Sequence, residues 1–279
     1  MVCDRRKMKQ VVLVSGASSR LGRGVVRELA RRGMVVYGGV RGGSSTSTRE
    51  KREIEKELEV EWRKLGIRKV KLNVLSDRDC VRAVKEIVRR EGGINVLVNN
   101  AGYTLSGPTL EFNAEEVEKI LMTNVVGAWR LTKEAVGVMR GKGGGKIINV
   151  TSLNGLVSLP NFGVYSASKQ ALEALGEALR YELAEEEIWV TNVAPGAILM
   201  EGGAKMRHRP AREKFKLLAW VLPMVKIETV ARKIAEVAES KRPPLRVLIG
   251  RDVKLVYNLK RFLPGYLWER LMMGVWRGK

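Results

Sequence analysis

Short runs of β-branched and other apolar residues alternate along the chain with longer stretches in which apolar positions recur every three or four residues. Residues 11–15 read as a first strand. Residues 21–32 read as a helix stopped by Gly33, and 34–40 as a second strand. A Gly/Ser/Thr loop over 42–48 leads into a charged helix that runs to Leu65, and 68–73 form a third strand. Ser76 caps a helix ending before Gly92, 94–99 are a fourth strand, and one long helix covers about 114–139. Gly143, Gly144 and Gly145 turn the chain into a fifth strand, 146–151. A helix over 165–186, a strand over 188–193, a helix over 225–240 and a last strand over 245–249 complete the pattern. Repeated βα units predict an α/β fold, a doubly wound parallel sheet with helices on both faces. Neither an internal repeat nor a long linker divides it, so residues 1–250 form a single domain and 251–279 an extension.

Pro264-Gly265 splits the extension into two helical pieces. Leu255, Leu259, Phe262 and Leu263 fall at helical spacing in the first, and Leu267, Trp268, Leu271 and Met272 in the second. Exposing both stripes is unfavourable for a soluble monomer. They are expected to pack over a substrate pocket or a neighbouring subunit, with the basic residues outside. Apolar residues interleaved with Lys and Arg also suit an anionic membrane surface, which is the second reading.

Composition changes the picture little. The net charge of +21 invites anionic partners. Two cysteines, Cys3 and Cys80, are too few for a disulfide framework and fit a reducing compartment. The N-terminus lacks a signal-like apolar region, and no stretch is long and apolar enough to span a bilayer. The expected location is cytoplasmic, or peripheral to a membrane. The single histidine, His208, stands in a basic loop without companions, so no metal site is expected.

The chemistry concentrates at a few points. Strand one runs into Ser15-Gly16-Ala17-Ser18-Ser19-Arg20-Leu21-Gly22 and then a helix. A tight turn at a helix N-terminus offers free amides and a positive dipole end, as a pyrophosphate requires. At the end of strand two an NAD site would carry an acid for the ribose 2′-hydroxyl. Arg41 stands there instead, with Arg20 as a second clamp, which suits the 2′-phosphate of NADP(H). Tyr165 and Lys169, at i and i+4, share one helix face. A neighbouring ammonium is expected to lower the phenol pKa from about 10. Ser152 sits upstream at the carboxyl end of strand five, the edge where ligands bind in such sheets.

These landmarks, with Asn73-Val74, Asn99-Asn100-Ala101-Gly102, Asn124 and Pro195-Gly196 in the same order, resemble the short-chain dehydrogenase/reductase family over about residues 10–250. The resemblance implies a Rossmann-type domain. It implies Tyr165 as general acid in reduction and base in oxidation, Lys169 as its partner and ribose holder, Ser152 as carbonyl orienter, and Asn124 as anchor of a relay water. Cofactor contacts would come from Gly16, Ser18, Ser19, Arg20, Leu21 and Gly22 at the phosphates. Arg41 would meet the 2′-phosphate, and Asn73 and Val74 the adenine. Asn100, Ala101 and Gly102 would form the floor; Pro195, Gly196 and Ile198 would meet the carboxamide. Residues 202–224 would form the substrate loop. Arg20 replaces the central glycine of the family turn, which puts the loop geometry in question, and Met200 replaces a cofactor-bonding threonine.

The expected activity is hydride transfer between NADP(H) and a carbonyl or alcohol, with reduction of a lipophilic ketone or aldehyde of steroid, retinoid or acyl-chain type. The expected assembly is a homo-oligomer, and no nucleic-acid partner is expected. The rival is a nucleotide-sensing basic binding protein on the same fold. Since the cofactor motifs all precede Gly250, a chain ending there is expected to keep cofactor binding.

Overall fold

A computed structural model describes residues 9–41, 49–198 and 224–277. The expectations for the 42–48 loop, Met200, His208 and nearly all of the 202–224 substrate loop lie outside the described residues.

Seven strands form one sheet: β1 (Val11–Val14), β2 (Val35–Val40), β3 (Arg68–Lys71), β4 (Val96–Asn99), β5 (Gly145–Val150), β6 (Ile188–Pro195) and β7 (Arg246–Ile249). Their order is β3-β2-β1-β4-β5-β6-β7, and every pairing is parallel. The order reverses between β1 and β4, opening a crevice outside the carboxyl ends of the strands. The helices are α1 (Arg20–Arg31), α2 (Arg49–Lys64), α3 (Asp77–Glu91), α4 (Ala114–Leu121), α5 (Gly127–Arg140), α6 (Gly163–Glu182), α7 (Ile227–Glu239), α8 (Arg251–Phe262) and α9 (Gly265–Arg277).

Parallel strands buried on both faces need apolar residues throughout, and β1 is Val-Val-Leu-Val, buried at all four positions. Val12 and Val14 join one core with Val25, Leu29, Val230 and Ile234, from α1 and α7. Val11 and Leu13 join the other, with Val84, Ile87, Leu131 and Met139 from α3 and α5. Local signals set the helix ends. The Ser76 side chain accepts the amide of Asp79 at the start of α3, and Gly92, at φ 79°, ends that helix in a left-handed cap. Asn113 and Glu116 make a capping box for α4.

The single long helix expected over 114–139 is instead two helices joined by a π turn, Met122–Val126. Gly127 donates to the carbonyl of Met122, so one extra residue is accommodated in the ladder. Asn124 lies in that turn and is completely buried. Its carboxamide, turned inward, has bonds that a regular helix surface would not offer.

Candidate active site

At the β1–α1 turn, Gly16 has φ +62°, and a Cβ there would stand 2.8 Å from the Cα of Ala101. A Cβ at Gly22 would run into the Gly16 carbonyl. The turn is therefore backbone packed on backbone. Ser19 caps α1, its Oγ accepting from the Gly22 amide at 3.1 Å and its carbonyl from the Arg23 amide at 2.8 Å. The Arg20 and Leu21 amides, in the unsatisfied first turn, are left for an outside anion. Arg20 does not distort the loop: it is the first residue of α1, behind the Ser19 cap. Its exposed side chain lines a groove with Arg23 and Arg27.

The Asn100 carboxamide braces this turn from β4, donating to the carbonyls of Ser15 at 2.9 Å and Gly16 at 3.0 Å. Ser15 completes the brace, its Oγ accepting from the Asn100 and Ala101 amides at 3.1 and 3.0 Å. Ser15 was not among the expected site residues; its register beside Val98 is visible only once β1 and β4 pair. Arg41 is exposed at the end of β2, where a 2′-phosphate would lie. Asn73 turns its Oδ1 to the Leu75 amide at 3.2 Å, and Val74 is buried beneath Gly127. A crevice floored by glycine and rimmed by free amides and arginines fits a dinucleotide phosphate.

Tyr165 sits in the first turn of α6, just past the carboxyl end of β5 that carries Ser152. Its phenol lies near the hydroxyls of Ser152 and Thr104, both of which favour its ionised form. Lys169 is buried, donates to the Val150 carbonyl at 2.8 Å, and holds its Nζ 5.9 Å from the Tyr165 ring centroid. Burial pushes the phenol above its ordinary value, while Ser152 and Thr104 pull the other way. This reverses the expected downward shift. The reason is desolvation, which outweighs the pull of the neighbouring hydroxyls. Burial also draws Lys169 down to about 8, with the Glu173 carboxylate opposing it.

The buried Asn124 clamps Tyr103 by both backbone groups, donating to its carbonyl and accepting from its amide at 3.0 Å each. It also donates to Ser168 Oγ at 3.0 Å. This fixes the segment that presents Thr104 to Tyr165. Thr104 and Ser168 are site residues that no sequence pattern singled out, since each matters only through the fold.

On the far side of the crevice, Pro195 ends β6 and Gly196 is buried, whereas Ile198 is bridged to Val225. The extension corrects the stripe expectation in part. Trp268, Glu269, Met272 and Met273 of α9 line an open groove with Ser158 and Pro160, and Lys260 donates to the Leu156 carbonyl at 2.9 Å. Both stripes stay largely in the open: Leu255 is 47% and Phe262 78% exposed on α8, and Leu267 37% and Leu271 42% on α9. The pieces meet the 156–160 segment by one edge, through Lys260 of α8 and Trp268, Met272 and Met273 of α9.

The short chain dehydrogenase family model matches residues 10–211. The chain belongs to the short-chain dehydrogenase family. Members of this family are oxidoreductases that use nicotinamide cofactors and act on small molecules. The chain is 28% identical over 272 residues to an uncharacterized oxidoreductase of Escherichia coli (strain K12), YbbO, covering 96% of this chain and 95% of that one. It is 34% identical over 187 residues to a 3-ketodihydrosphingosine reductase of Bacteroides thetaiotaomicron, covering 67% and 63%. A short-chain dehydrogenase structure from Streptomyces avermitilis superposes with a TM-score of 0.76 at 28% identity, covering 95% and 98%. Among the described residues no helix is long and apolar enough to cross a membrane.

Proposed function

We propose that this short-chain dehydrogenase reduces a lipophilic ketone or aldehyde with NADP(H), using Tyr165 as the proton donor. The observation that carries the reading is the placement of the Tyr165 phenol beside the Ser152 hydroxyl at the nucleotide crevice, where desolvation favours its protonated form. A protonated phenol is the state that reduction requires. Ser152 Oγ orients the substrate carbonyl, and Tyr165 delivers a proton to the same oxygen as charge develops there. Lys169 supplies positive charge beneath the phenol and bonds the nicotinamide ribose. Asn124 keeps the Thr104 segment in place, with a relay water held at the opened π turn. When bound, the dinucleotide supplies the hydride.

The phosphates rest on Gly16 through Gly22, with Arg20 and Arg41 at the 2′-phosphate. Asn73 and Val74 border the adenine, while Asn100, Ala101 and Gly102 form the floor. Pro195, Gly196 and Ile198 meet the carboxamide. Likeness to a reductase named for 3-ketodihydrosphingosine supports a lipophilic substrate, as does the apolar side of the groove at Pro160, Trp268, Met272 and Met273, beside the segment that follows Ser152. The open α8 stripe suits a second copy of the chain, making a homo-oligomer.

Fluorescence titration with NADPH and NADH, followed by apolar ketones and aldehydes, tests the reading. It predicts tighter NADPH binding and carbonyl-dependent NADPH consumption. Dinucleotide binding without turnover on any carbonyl would favour the sensing reading instead.

A further inference from the structure

The loop that leaves β6 is held from outside itself. The Gly196 amide donates to the Ile249 carbonyl at 2.8 Å, the Ala197 carbonyl accepts from the Val225 amide at 2.8 Å, and the Ala197 amide donates to Asp252 Oδ2 at 2.7 Å. Asp252 is the second residue of α8, hence part of the extension, and it is buried. Its Oδ1 has no hydrogen-bond partner among the described residues. A buried carboxylate with one unpartnered oxygen is costly, although the N-terminus of α8 offsets part of its charge. The space for it exists because two neighbours lack a Cβ: an added Cβ at Gly196 or at Gly250 would overlap the carboxylate. Gly250 also takes φ +121°, a conformation that side chains disfavour. Two glycines and a buried charge thus converge on one backbone amide.

We propose that Asp252 is a positioning residue that sets the Pro195-Gly196-Ala197 backbone for the nicotinamide end of the cofactor. The C-terminal extension is then part of the cofactor site, against the expectation that a chain ending at Gly250 keeps full binding. This rests on the nicotinamide reading of the loop given above. A carboxylate serving only to start α8 would stabilise the helix and leave the dinucleotide unaffected.

The experiment compares the full chain with Asp252→Ala and Asp252→Asn by calorimetric titration with NADPH and with 2′,5′-ADP, which lacks the nicotinamide half. Losing a charge-assisted bond at the loop is expected to weaken NADPH about 10-fold or more in Asp252→Ala. Binding of 2′,5′-ADP should stay within about twofold, because its contacts lie at the other end. Asp252→Asn keeps an oxygen for the Ala197 amide and should recover most of the loss. Hydrogen exchange at Ala197 should accelerate in Asp252→Ala and not in Asp252→Asn. Should Asp252→Ala not fold, Asp252→Ser, which keeps a polar group in the site but is too short to replace the carboxylate, carries the same expectations. Unchanged NADPH affinity, or equal weakening of both ligands, overturns the inference. A wild-type chain that binds neither ligand would instead sink the cofactor reading itself.

Discussion

At the β1–α1 turn, one stretch of eight residues does most of the work: it reverses the chain, caps the helix with Ser19 and exposes amides, while Ser15 and Asn100 brace it beside β4 and the Ala17 amide ties it to the Gly39 carbonyl of β2. At the Pro195–Ile198 end, the loop does almost nothing for itself, and its described bonds come from Val225, Ile249 and Asp252. The difference teaches where each half of a dinucleotide site gets its rigidity. A phosphate needs clustered amides, which a tight turn at a helix start provides locally. A carboxamide needs a particular edge of backbone, which has to be held in place by neighbours.

The comparison breaks hardest at the turn. Gly22→Ala would push a Cβ into the Gly16 carbonyl, so NADPH and 2′,5′-ADP should both lose on the order of 10²-fold in calorimetric affinity. Unaltered affinity for either ligand would show that the turn is not the phosphate seat. Next in size is Arg41→Ala, which removes the exposed cation proposed to meet the 2′-phosphate. NADPH should weaken by roughly 1.5–3 kcal/mol while NADH is unchanged. Parallel losses for both cofactors would remove Arg41 from the 2′-phosphate.

A smaller effect concerns Lys169, between the two ends. Its folded-state value is drawn down to about 8, below the ordinary lysine value of the unfolded chain. Below that pH both states hold the proton and the burial penalty is constant. Above it, up to the ordinary lysine range, the unfolded chain holds more protons, so stability rises with pH. The unfolding free energy of the wild type relative to Lys169→Met should be level between pH values of about 6 and 7.5 and should climb by about pH 9.5. Denaturant melts at those values check it, and a constant difference across them would contradict the burial of the charge.

The same contrast explains what the sequence revealed. Strands such as β1 and β4 appeared as apolar runs and the β1–α1 turn as a glycine-bearing one, because both signals are local. Ser152, Tyr165 and Lys169 come together as their spacing implied, since one helix turn and one strand end fix them. Arg20 looked disruptive by its place in the motif, yet as the first residue of α1 it needs only an ordinary helical backbone. The π turn at Asn124 was not legible, because what matters is the bonds its buried carboxamide makes to Tyr103 and Ser168. Asp252 was hidden for a related reason. Nothing in the sequence singles it out, and only the β6–β7 pairing brings it under Ala197.

The most direct test of the central claim compares wild type with Tyr165→Phe in NADPH consumption on an apolar ketone or aldehyde that the wild type reduces, with NADPH affinity measured alongside. The variant keeps the ring and loses the transferable proton. The account predicts a fall in turnover of about 10²-fold or more with NADPH affinity nearly unchanged. Turnover close to that of the wild type would contradict it.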